Sequence, residues 1–206
     1  MASPIVFAAA VALAGCAATR PDGGPGRAVA LPDAEAAAVL RAASAVLAAG
    51  SCRDAVAEIA DPPVRLADPR FGGAAWQPVR VAGCGRRGLL NMLVAPASGG
   101  TGAASVTPLL PGATAADPLL QREGLRLALL AVRNAAPGCE RIAVTDTRAD
   151  AAEPPAHGRG EAVRRPWAEL WALSACGRAS AVAVRFAPGR EGTEIVVAPG
   201  AIRPPP

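Results

Sequence analysis

Few side chains in this sequence are equipped for chemistry. His157 is the only histidine, set in the polar stretch 154–160. A serine or cysteine nucleophile normally needs such a base, so a hydrolase built on this chain would depend on His157. No Gly-x-Ser-x-Gly accompanies it, and a solvated loop histidine is the plainer reading. All 21 basic residues are arginine; without lysine, Schiff-base, P-loop and Ser-Lys chemistry are excluded. Cys52, Cys84, Cys139 and Cys176 contain no Cys-x-x-Cys spacing, which argues against a zinc centre or a thioredoxin-like site and implies no cofactor. Gly83-Cys84-Gly85-Arg86-Arg87-Gly88 matches G-x-G-x-x-G only formally, because the fingerprint requires a helix where a second strand follows here. Glu161 and Glu169 can be drawn as a glycosidase-like pair, but among 17 acidic residues such a pair carries no weight. Trp76 and Trp167 are candidates for lining a ligand groove, with core packing as the competing reading. Arg86-Arg87 and Arg164-Arg165 could meet lipid phosphates or simply be solvated.

The elements that must position these residues repeat. Residues 168–188 read as two alternating strands about a tight Cys176-Gly177-Arg178 turn. Trp171 and Leu173 share one face, as do Val182, Val184 and Phe186, the period-2 pattern of half-buried antiparallel strands. Gly177 supplies the backbone freedom that the reversal requires. The same hairpin occurs at 79–96. At an offset of 92, Cys84-Gly85-Arg86 meets Cys176-Gly177-Arg178, Ala95-Pro96 meets Ala187-Pro188, and Gly100-Thr101 meets Gly192-Thr193. Leu90, Met92 and Val94 then stand opposite Val182, Val184 and Phe186. A second cysteine precedes each hairpin, Cys52 and Cys139, each after an Ala/Leu-rich run that ends at a glycine. The sequence thus reads as a duplicated module.

The chain has 206 residues, 51% of them apolar, enough for one or two small cores. A net charge of +4 and a pI near 9.2 permit weak attraction to anionic surfaces. No aromatic-studded basic stripe supports nucleic-acid binding. Residues 5–14 are an apolar run too short to span a bilayer, ending in Leu13-Ala14-Gly15-Cys16. This resembles the lipobox of bacterial lipoprotein precursors. The resemblance implies cleavage before Cys16 and lipid attachment to it (a palmitate-type anchor), with Ala17 implying passage to the outer membrane. Setting Cys16 aside leaves four cysteines in an exported chain, which favours two disulfides. The duplication selects among the three possible pairings: each module closes its own loop, Cys52 with Cys84 and Cys139 with Cys176. The pattern Trp171-x-Leu173-x-x-Cys176-Gly177-Arg178 is reminiscent of bacterial envelope proteins.

In order, the chain is expected to comprise a lipoprotein signal peptide (1–15), a flexible tether (16–30), repeat module 1 (31–113), repeat module 2 (114–201) and a Pro-rich tail (202–206). The fold class is α+β, each module being one helix packed on a small antiparallel sheet with a Cys-Gly-Arg hairpin and an intramodule disulfide. Asp33 is expected to cap the first helix, with Val39, Leu40, Ala43, Val46 and Leu47 inward. Asp117-Pro118 starts the second, with Leu120, Leu127, Leu130 and Ala131 inward. Residues 55–60 and 141–147 read as strands and 62–77 as a loop, with Pro78 confined to a strand start or an edge. The function expected is a lipid-anchored, non-catalytic adaptor on the periplasmic face of the outer membrane, held by Cys16 and contacting an envelope protein. A periplasmic small-ligand or glycan-binding module is the alternative, and a hydrolase depending on His157 the third.

Overall fold

A computed structural model describes residues 31–49, 52, 54–59, 61–97, 103–153 and 165–197. The signal peptide, Cys16, the tether, Gly50, His157, Glu161, Arg164 and the Pro-rich tail lie outside the described residues. The described chain is α+β, with two antiparallel sheets and two helices. Among the described residues no helix is long and apolar enough to cross a membrane.

The first helix, α1 (Asp33–Ala49), begins where the Pro32 carbonyl accepts from the Glu35 and Ala36 amides. Asp33 is therefore its first residue rather than its cap, and Asp33 and Glu35 place negative charge in the first turn, where the helix dipole favours it. Four strands follow: β1 (Val56–Ile59), β2 (Val64–Arg65), β3 (Ala75–Gly83) and β4 (Arg86–Ala95), completed by β5 (Ser105–Pro108). Their order is β1-β3-β4-β5, with β2 also on β3. Val39 and Ala43 of α1 meet Val79, Met92 and Val94 to form the first core.

The second helix, α2 (Pro118–Ala135), starts as expected. Asp117 accepts from the Leu119 and Leu120 amides, and Pro118 occupies the position where a missing N–H costs nothing. Strands β6 (Ile142–Ala149), β7 (Trp167–Ala175), β8 (Arg178–Gly189) and β9 (Gly192–Val197) form the second sheet in sequence order. Trp167, Trp171, Leu173, Val182, Val184 and Phe186 lie on its helix-facing side and are buried. Trp167 stacks on Phe186 with ring centroids 4.6 Å apart.

Both hairpins close on two-residue turns. Gly83 faces Arg86 across one and Ala175 faces Arg178 across the other. The central residues all have positive φ, 51° and 71° at Cys84 and Gly85, 50° and 80° at Cys176 and Gly177. That is the signature of the primed turns whose twist matches paired strands. The two cysteines are the only non-glycine residues with positive φ among those described. Each is bridged as expected, Cys52 to Cys84 and Cys139 to Cys176, with Cα atoms 5.8 and 5.7 Å apart. The bridges pin the chain just beyond each helix to the tip of the hairpin beneath it.

Several expectations are corrected. Strand β3 starts at Ala75, so Pro78 sits inside a central strand. It is tolerated because β1 pairs with positions 79–82 of β3 and β2 with 75–76. Pro78 thus faces the gap between two short neighbours, and its carbonyl accepts from Gln77 Nε2 at 2.7 Å. The supposed loop 62–77 also carries β2 and a 3₁₀ turn, Pro69–Phe71. The expected match of Gly100-Thr101 to Gly192-Thr193 has no support from strand pairing. Val94 reaches its partner Val106 twelve residues on, while Phe186 reaches Ile195 nine residues on. Gly100 and Thr101 themselves lie outside the described residues.

Helix α2 is rotated from its expected face. Gln121, Gly124, Ala128 and Val132 form its buried line, and Leu130 is 48% exposed. Trp171 is the reason: a Cβ on Gly124 would stand 2.7 Å from the indole Cη2. Small residues let the helix close on the ring, and the leucines move to the flanks.

Candidate functional site

Strand alternation places Glu169 on the same inward face as Trp167 and Trp171. Its carboxylate is completely buried, an environment in which each unpaired lone pair would carry a desolvation cost. Five donors satisfy it. Oε1 accepts from the Thr114 hydroxyl at 3.0 Å, the Ala115 and Ala116 amides at 2.8 and 3.2 Å, and Trp167 Nε1 at 3.2 Å. Oε2 accepts from Trp171 Nε1 at 2.8 Å. Four of the five donors thus converge on Oε1 and one on Oε2, all of them from the chain itself.

The chain that Glu169 grips is the segment joining the two sheets. Its other buried contacts come from both sides. Asn91, buried on β4, donates through Nδ2 to the Leu110 and Gly112 carbonyls at 2.6 and 2.9 Å, while its Oδ1 accepts from Trp76 Nε1 at 3.0 Å. The Gly112 amide donates to Leu89 of the first sheet, and the Ala113 amide to Thr147 of the second. Thr147 returns its hydroxyl to the Pro111 carbonyl at 2.6 Å. Gln121 of α2 accepts from the Leu110 amide at 3.0 Å and donates to the Ala116 carbonyl at 2.8 Å. Residues 109–117 thus form a strap whose backbone is paired by Asn91, Thr147, Gln121 and Glu169. Gly112 is required at the crossing. Its φ is +95°, and a Cβ there would clash with the backbone of Thr147.

Asp146 lies beside this crossing, at a bulge in β6. Burial pushes its carboxyl above the usual range, against the opposing pull of the Thr147 amide and Arg148. In the turn that follows β6, Glu153 receives Arg185 at 2.8 Å; the hydrogen bond from that guanidinium holds its carboxyl below the usual range.

Of the residues singled out in the sequence, Trp76 and Trp167 are 0% and 1% exposed. They lie on opposite faces of different sheets, each with its indole N–H donated to a buried side chain. Neither ring offers a face to an open groove, because each supplies bulk to an interior otherwise rich in alanine and valine. Cys52, Cys84, Cys139 and Cys176 are brought together in pairs. His157 and Glu161 lie outside the described residues, so the hydrolase and the Glu161–Glu169 pair acquire no geometry. Among the described residues no group of three or more His, Cys, Asp or Glu could hold a metal ion.

Sequence reasoning missed Asn91, Thr147 and Gln121, and set Glu169 aside. For Glu169 the signal was present: a carboxylate at the inward position of the alternation Trp167-x-Glu169-x-Trp171-x-Leu173. Comparison with protein-family models, with curated proteins and with solved structures finds no match.

Proposed function

We propose that this chain is an envelope lipoprotein anchored through Cys16 on the periplasmic face of the outer membrane, and that it is a non-catalytic adaptor for another envelope protein. In this reading residues 31–113 and 114–201 are tandem copies of one module. The Cys-Gly-Arg turns at an offset of 92, their shared register and one bridge per copy support the duplication.

The observation that carries the adaptor reading is the state of Glu169. This wholly buried carboxylate, with Asn91, Thr147 and Gln121, is committed to the chain's own backbone and indoles. Such groups position the strap and face no substrate. What the folded part offers to other molecules is its surface, and the lipobox would fix that surface beside the membrane.

The test is cross-linking in intact cells followed by purification, comparing the natural chain with Cys16→Ser. A stoichiometric envelope protein captured only with the anchored form supports the adaptor. Capture of nothing specific by either form overturns it.

A further inference from the structure

We propose that the outward face of α2 is a docking surface for an anionic lipid bilayer. Opposite the buried line Gln121, Gly124, Ala128, Val132, the helix presents Arg122, Arg126, Leu130 and Arg133, all exposed. Spacings of four, four and three put them on one stripe at helical periodicity. Three guanidiniums therefore project from a single line, with a leucine 48% exposed between two of them. Leu130 is one of only three large apolar residues that stand exposed among those described.

This combination suits a membrane surface better than plain solvation. Arginine forks match phosphate oxygens bidentately, and an exposed leucine between them can enter the headgroup boundary as interfacial helices do. Glu123 is the acidic residue beside the stripe; it pairs with Arg126 at 3.1 Å and leaves the segment with a net positive charge. The exposed side of α1 provides the contrast. It carries Arg41 among alanines and serine, and its first turn is acidic. The cationic, leucine-bearing helix is thus a property of α2 and not of the architecture that both halves share. The proposal needs neither lipidation at Cys16 nor the adaptor reading, and each can fail alone.

The experiment uses the full chain with Cys16→Ser and a single added cysteine, Leu130→Cys, carrying an environment-sensitive fluorophore. The remaining four cysteines are bridged and do not take the label. A second protein carries the label at Ala143→Cys, an exposed site on β6. Vesicles of phosphatidylcholine containing phosphatidylglycerol should brighten and blue-shift the probe at 130 but leave the probe at 143 unchanged. Phosphatidylcholine alone should move neither. Arg122→Gln, Arg126→Gln and Arg133→Gln should each weaken binding about fivefold, and all three together on the order of a hundredfold. These side chains are exposed, and circular dichroism should report an unchanged fold for each variant. The proposal is overturned if the triple variant binds as the parent does, or if both probes respond alike. A probe at 130 that is silent towards anionic vesicles also overturns it, and assigns the stripe to solvent or to a soluble anionic partner.

Discussion

Between α1 and its sheet lie Val39, Ala43, Val79, Met92 and Val94; between α2 and its sheet lie two indoles, Phe186, Leu173 and the carboxylate of Glu169. The two interiors share a frame and little else. At the register position that Glu169 holds in β7, β3 carries Gln77, which faces Met92 as Glu169 faces Val184. Gln77 is also wholly buried. Its Nε2 donates to the Asp61 and Pro78 carbonyls, but its Oε1 has no partner. One inward polar side chain is fully engaged and organises the joining segment, while the other closes a gap between two short strands and leaves an acceptor bare. Turn geometry and bridges set the architecture, and the interior behind them can be rebuilt.

The largest effects should be those the halves share. Replacing Cys52 and Cys84, or Cys139 and Cys176, by serine should each cost about 4 kcal/mol in the chain-entropy model, because the loops close over similar separations of 32 and 37 residues. Urea denaturation of the two double variants checks this, and a cost confined to one half would break the common frame.

Unequal effects should follow at the paired polar positions. Glu169→Gln puts an amide N–H₂ among five donors and should cost roughly 3 kcal/mol, with buried donors left unpaired at about 1–3 kcal/mol each. Gln77→Met removes the bare acceptor but takes a donor from the exposed Asp61 carbonyl and the buried Pro78 carbonyl, and should cost about 1–2 kcal/mol. Equal costs in urea denaturation would show that the two inward polar side chains play equivalent roles.

A smaller effect is expected at Gly124→Ala. Crowding against Trp171 should cost about 1–3 kcal/mol, offset by the ~1 kcal/mol helix preference of alanine. The net loss should be modest, accompanied by a changed Trp171 environment in near-ultraviolet circular dichroism.

The smallest effects are ionic and have opposite signs. The carboxyl of Asp146 is raised in the folded state by burial, so its ionised form weakens the fold at neutral pH, and that penalty fades as pH falls through the raised value. Asp146→Asn should therefore raise stability slightly at neutral pH and not in acid. The carboxyl of Glu153 is lowered by Arg185. Its small contribution is present above the ordinary carboxylate range and is lost as pH falls through the lowered value. Thermal melts of Glu153→Gln across that range should converge with the parent in acid.

Much of the frame was legible in the sequence. Period-2 alternation located both hairpins, and the repeated Cys-Gly-Arg triplets selected the bridges before any distance was known. Asp117-Pro118 announced the start of α2. The failures arose where distant parts of the chain decide the outcome. The rotation of α2 follows from an indole on β7 resting against Gly124, a contact between residues 47 positions apart. Pro78 is admitted to a central strand by the shortness of β1 and β2, which no local pattern near Pro78 reveals. Asn91 reads as an unremarkable polar residue in an apolar strand until residues 109–112 cross it. Glu169 was readable as a buried carboxylate from its alternation with Trp167 and Trp171, but its five donors were not.

Hydrogen bonds from Gly112 to Leu89 and from Ala113 to Thr147 make the strap a tie between the two sheets. Native-state hydrogen exchange at Gly112, Ala113, Ala115 and Ala116 tests it most directly, because these amides donate to Leu89, Thr147 and Glu169. They should exchange only through the opening that also exposes β7 and β8, with the same dependence on denaturant. Exchange of these amides within seconds, while both sheets stay protected, would contradict it.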